Sequence, residues 1–261
     1  MSAGSEIAGL MVIILASCAV TFPQAAKPGK NTLRIRNREQ TVVLYEAQST
    51  GAHRKVLFAP GDAGCRGFAV AIAQELAKAG YDAYCLDTLR YLESFTGPPI
   101  LTTDLVASDF RQIAFWIEQG EHRPILLVGW SEGAGLGLAV IADSVSQSIF
   151  DGLIAIGTPE QNILAWRWTD FGAWITKKVP HEPTFKSADF VSRASPLPLF
   201  MIASTSNEYV TPEATRALFS AAREPKQLAF VRARDHKYSD NNEEFFKVLR
   251  QALDWCQRQR H

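Results

Sequence analysis

Six short, predominantly apolar runs recur along this chain, and segments with helical periodicity lie between most of them. The runs cover residues 55–59 (KVLFA), 81–86, 124–130, 152–156, 197–203 and 227–231. Residues 67–78, 103–119, 132–143, 212–222 and 243–255 carry apolar positions at helical spacing. A strand that is apolar without alternation is buried on both faces. Strands of that kind alternating with helices predict a mostly parallel sheet with helices on both sides. Ahead of them, residues 32–36 and 41–46 are β-rich and flank the turn-like NREQ, which predicts an antiparallel hairpin. The 261 residues suit one large α/β domain, and the 47% hydrophobic share is enough for a sizeable core.

The chemistry gathers where one apolar run meets a helix, at LLVGWSEGAGLGLAV (126–140). Gly129-Trp130-Ser131-Glu132-Gly133 reads G-x-S-x-G, with a buried strand before it and a helix after it. A serine hydroxyl raised on such a sharp turn leaves no room for side chains at the flanking positions, so both are glycine. The helix start aims backbone N–H groups at an oxyanion, which makes the N–H of Glu132 one predicted donor. The second is expected from the PGDAG loop after 55–59, with Asp62 the first choice and Ala63 the second. Ser131 is the predicted nucleophile. Its predicted base is His236, which follows the last apolar run and precedes the last helix. Of the other histidines, His53 and His122 sit in polar turns, His261 is terminal and His181 lies in an aromatic segment.

The residue orienting His236 is expected in STSNEYVTP, after the run at 197–203. A D-x-x-V-P pattern places Asn207 at the acid position, where its amide oxygen would accept from the imidazole without supplying charge. Adjacent Glu208 is the second candidate, and Glu160, after the run at 152–156, is the third. All three stay open on sequence alone.

With these residues in place, the chain resembles the α/β-hydrolase superfamily over about 31–257. Within it, APGDAGCRGF, LDTLRYLESF, VGWSEGA and HKYSDNNEEFFKVLRQALDW resemble the VirJ-type bacterial virulence proteins. The resemblance implies an α/β-hydrolase fold and an exported, periplasmic or membrane-associated protein. Relatives fused to other domains are linked to hydrolysis of aminoacylated phospholipids, so an aminoacyl-lipid is one implied substrate. The expected activity is that of a serine esterase working through an acyl-enzyme on a small-molecule or lipid ester. The rival expectation is a non-catalytic or weakly catalytic VirJ-like accessory protein of an envelope or secretion system.

Other features bound these readings. The 27 basic and 27 acidic side chains give zero net charge and no electrostatic case for nucleic acid. No ligand-spaced cluster suggests a metal, and the chemistry calls for no cofactor. Residues 1–26 read as an export segment, because IAGLMVIILASCAV (7–20) matches a signal h-region in length. LASC ending at Cys18 resembles a lipobox, which would allow membrane association through this segment. Residues 27–261 are expected to form the hydrolase domain, with an aromatic-rich insertion at about 160–194. It holds Trp166, Trp168, Phe171, Trp174 and Phe185, and is read as bordering the site and favouring a lipid-like acyl group. No cysteine spacing argues for a disulfide framework, and a Cys65–Cys85 bridge is compatible with an oxidising compartment.

Overall fold

The computed structural model describes residues 25–49, 53–121, 123–170, 172 and 181–259. The expected export segment up to residue 24, His122, Phe171, Trp174 and His261 lie outside the described residues.

The hairpin opens the fold. β1 (Gly29–Ile35) and β2 (Arg38–Tyr45) pair antiparallel, with Ile35 opposite Arg38. The turn is therefore Arg36-Asn37 rather than NREQ. Both residues have positive φ, 46° and 64°, as a two-residue turn that matches strand twist requires. Asn tolerates this backbone well. Arg36 is held there by Asp109, which accepts from its Nε at 3.0 Å and its Nη2 at 2.6 Å. Tyr91 also donates to Asp109, at 2.7 Å.

The alternating elements follow as β3 (Arg54–Ala59), α1 (Phe68–Lys78), β4 (Tyr81–Leu86), α2 (Thr88–Glu93), α3 (Thr103–Glu118), β5 (Ile125–Trp130), α4 (Glu132–Ile141) and β6 (Phe150–Ile156). The stretch expected to be an insertion holds β7 (Gln161–Ile163), β8 (Thr184–Lys186) and α5 (Ala188–Val191). The chain closes with β9 (Leu199–Ser204), α6 (Pro212–Ala221), β10 (Lys226–Val231) and α7 (Asn242–Arg258). Eight strands form one sheet in the order β1-β2-β4-β3-β5-β6-β9-β10, and β7-β8 form a separate ribbon. β2 meets β4 antiparallel, and every pairing from β4 to β10 is parallel. The central β5 is buried at all six positions, the outcome that its unbroken apolar run predicts.

The helices divide between the two faces. On one, Ile72 and Leu76 of α1 and Phe245, Leu249 and Leu253 of α7 pack on Val56, Val128, Ile154 and Ile202. On the other, Phe110 and Ile113 of α3 and Leu136 and Leu138 of α4 pack on Leu57, Leu127 and Leu153. Each such side chain, fully buried, contributes about 1.5–3 kcal/mol. Because the strands are parallel, their C-terminal ends lie along one edge, where loops gather the polar residues.

Two aromatics of the insertion belong to this core. Trp166 and Phe185 are 1% and 9% exposed, whereas Trp168 is 78% exposed. The first two therefore pack the domain instead of presenting a surface to an acyl chain.

Candidate active site

Ser131 stands between β5 and α4 with φ 54° and ψ −125°. A non-glycine residue in that region costs about 1–3 kcal/mol and persists only where its surroundings impose it. The impositions are visible. Ser131 N–H donates to the Ile156 carbonyl at 2.9 Å, tying the turn to the end of β6. A Cβ on Gly133 would strike the Ala59 carbonyl, and one on Gly129 would lie 2.5 Å from Ala134 Cα. The two glycines let α4 begin against β3 and β5, and that close approach raises the serine. The Ser131 carbonyl already accepts from Ala134 N–H at 2.8 Å, so α4 starts directly after the turn.

The loop after β3 crosses above this turn. A Cβ on Gly61 would sit 3.1 Å from Ser131 Cβ and 3.6 Å from its Oγ. Gly64 N–H donates to the Gly61 carbonyl at 3.0 Å, which makes Asp62 and Ala63 the central pair of a tight turn over the serine. Cys65 and Cys85 form a disulfide that fastens this loop to β4.

Glu132 opens α4 with its carboxyl turned inward. Oε2 accepts from Ile163 N–H at 3.0 Å, so β7 of the insertion sits directly beside the elbow. Burial, together with the Asp62 carboxylate, pushes the Glu132 carboxyl up to about 8, against the partial relief of the Ile163 N–H. At neutral pH Glu132 is therefore mostly uncharged.

His236 lies in the loop between β10 and α7 and is 6% exposed. Its ring stacks on Trp130, the residue preceding the serine, with centroids 5.5 Å apart and planes 24° apart. Tyr209 meets it edge-on at 5.3 Å. Gly157, at φ 58° after β6, supplies the remaining space, since a Cβ there would lie 2.7 Å from His236 Cε1. Ser131 is hydrogen-bonded to Ile156 and His236 packs on Gly157, so both residues touch the C-terminal end of β6.

The orienting residues are arranged differently from the expectation. Asn207 is buried and its Nδ2 lies 2.8 Å from His236 Nδ1. Its Oδ1 accepts from the backbone N–H groups of Tyr209 at 2.8 Å and Val210 at 3.2 Å. The amide oxygen, expected to accept from the imidazole, is thus committed to the backbone, and the NH2 group faces the ring. Glu208 is exposed, and its Oε2 accepts from the backbone N–H of His236 at 2.8 Å. Glu160 is an exposed residue whose carbonyl accepts from Ser187 N–H. Asp235 accepts from Ser239 and Lys237 N–H groups. Burial opposes its charge, but these bonds outweigh burial and hold its carboxyl below the usual range.

Sequence reasoning missed Gly157 and the stacking face of Trp130. Gly157 ends the run GLIAIG, and a glycine closing a buried strand is a sign of close approach. Among the described residues, no group of three or more His, Cys, Asp or Glu side chains could hold a metal ion. No helix among them is long and apolar enough to cross a membrane.

Residues 53–151 match the family model of the bacterial virulence protein VirJ. No curated protein sequence matches the chain. Among solved structures, the chain is similar to Est1E from Butyrivibrio proteoclasticus (TM-score 0.65, 13% identity, 87% of this chain and 98% of that one). It is also similar to the esterase domain of a Rhodothermus marinus protein (0.61, 22%, 88% and 97%). A third match is an alpha-beta serine hydrolase homologue from Coxiella burnetii (0.63, 13%, 88% and 99%). With its strand order, its hairpin and its strand–serine–helix turn, the chain has the α/β-hydrolase fold.

Proposed function

We propose that this protein is a serine hydrolase that cleaves an ester through an acyl-enzyme. The observation that carries the reading is the strained backbone of Ser131, imposed by two glycines that no other residue could replace. Ser131 Oγ attacks the ester carbonyl carbon while its proton passes to His236 Nε2. The backbone N–H groups of Glu132 and Asp62 receive the oxyanion. Collapse expels the alcohol, which takes the proton from His236. Water, activated by the same imidazole, then attacks the acyl-serine, and the carboxylic acid leaves as Ser131 regains its proton. Hydrolysis of p-nitrophenyl esters tests the reading: turnover is expected, and Ser131→Ala should abolish it. Turnover equal in the two proteins would refute it.

The substrate is a small-molecule or lipid ester. Esterases among the similar structures and the VirJ match support that class, and the VirJ resemblance points to an aminoacyl-lipid within it. Export is the matching location, supported by the Cys65–Cys85 disulfide, which an oxidising compartment sustains. A second reading, a VirJ-like accessory protein with little or no catalysis, is favoured by one observation, the amide NH2 of Asn207 facing His236.

A further inference from the structure

We infer that Asn207 locks His236 in the tautomer that carries its proton on Nε2, and so holds the site far below its catalytic capacity. This rests on the reading of Ser131 as nucleophile.

The inference follows from donor and acceptor identities. A side-chain NH2 only donates, so the 2.8 Å contact from Asn207 Nδ2 makes His236 Nδ1 the acceptor. A neutral imidazole that accepts at Nδ1 carries its proton on Nε2. Turning the Asn207 amide over would restore an acceptor to the ring, but Oδ1 is fixed by two backbone donors, Tyr209 and Val210. The turned amide would lose both bonds and set its NH2 against two N–H groups, the costly case for buried polar atoms. Flipping the ring offers no escape, because it presents Cδ2–H to the amide in place of Nδ1. The ring is also held by Trp130 on one face, Gly157 at Cε1 and Tyr209 at an edge.

A base for Ser131 needs a lone pair on Nε2. In the locked tautomer Nε2 presents a proton instead, and the serine is not activated. Before attack, the ring proton must move from Nε2 to Nδ1, where it confronts the Asn207 NH2. An aspartate at 207 removes the conflict. One carboxylate oxygen keeps the Tyr209 and Val210 N–H groups, the other accepts from Nδ1–H, and Nε2 is freed. Exchange of the acid for its amide in a serine triad leaves geometry intact and costs about 10⁴-fold in rate through the wrong tautomer. The reverse exchange here should return a large part of that factor. Asn207 acts as a positioning residue, through His236.

The test is ring-nitrogen NMR of the full chain labelled with ¹⁵N, combined with ester turnover by Asn207→Asp. The wild type should show a protonated Nε2 and an unprotonated Nδ1. Asn207→Asp should show the reverse and hydrolyse p-nitrophenyl acetate about 10²–10⁴-fold faster, with the gain erased by adding Ser131→Ala. A protonated Nδ1 in the wild type overturns the inference without need of any variant. So does a reversed tautomer in Asn207→Asp with no gain in rate. A gain that survives Ser131→Ala would instead overturn the assignment of the nucleophile, leaving the tautomer to be read from the spectrum alone.

Discussion

Glu208 holds His236 by the main chain: its Oε2 accepts from the His236 N–H at 2.8 Å, while the ring faces Asn207. The carboxylate fixes where the histidine loop stands and leaves the imidazole to another residue. Gln keeps an acceptor oxygen at this position and Ala does not. Glu208→Gln should therefore retain wild-type ester turnover, while Glu208→Ala should lower kcat by about tenfold through a displaced base. If Glu208 supplied charge to the imidazole, the two variants would be equally impaired in steady-state assays.

Gly157 makes the space His236 occupies. Gly157→Ala combines a strained φ of 58° with a Cβ 2.7 Å from the ring. The histidine must move, and a shift of about 1 Å costs about 100-fold in rate. Turnover should fall by that factor while far-UV circular dichroism stays native.

Glu132 links pH to both stability and rate. Its carboxyl titrates near 8 in the folded chain against the ordinary 4.5, so folding favours the protonated form. The stabilisation is complete below about pH 4.5 and is lost as pH rises through about 8. Glu132→Gln removes this dependence, so its melting temperature relative to wild type should be higher at pH 9 than at pH 5. The wild-type rate should also decline as pH rises through about 8 and a negative charge appears beside the proposed oxyanion donors, and the variant should lack that decline. A constant difference in melting temperature across the range would contradict the assignment.

The Cys65–Cys85 disulfide spans 20 residues and anchors the loop that carries Asp62. A closed loop of that size contributes about 3 kcal/mol by restricting the unfolded chain. The double Cys→Ala variant should lose about that much in denaturant unfolding and should lose turnover before it unfolds, because the loop over Ser131 is released.

The order of elements was legible because burial on both faces leaves an unbroken apolar run, as in β5, and burial on one face leaves a helical stripe, as in α3. The elbow was legible because two glycines and a serine at fixed spacing answer one steric demand. Other features were not. α2 is a six-residue helix capped by Asp87, too short to show a period. The hairpin turn falls at Arg36-Asn37 because Asp109, 73 residues away, holds the arginine. Composition places Trp166 and Phe185 among the aromatics of the 160–194 stretch but does not say that they face the core. The orientation of the Asn207 amide depends on two backbone N–H groups whose directions the order of residues does not reveal.

Catalysis by this site requires Ser131 to be a nucleophile. Incubation of the wild type and of Asn207→Asp with a fluorophosphonate, followed by peptide mass spectrometry, tests it most directly. A single adduct on Ser131 is expected in both proteins, formed faster in Asn207→Asp and absent after Ser131→Ala. No adduct in either protein, or one that persists without the serine hydroxyl, would contradict it.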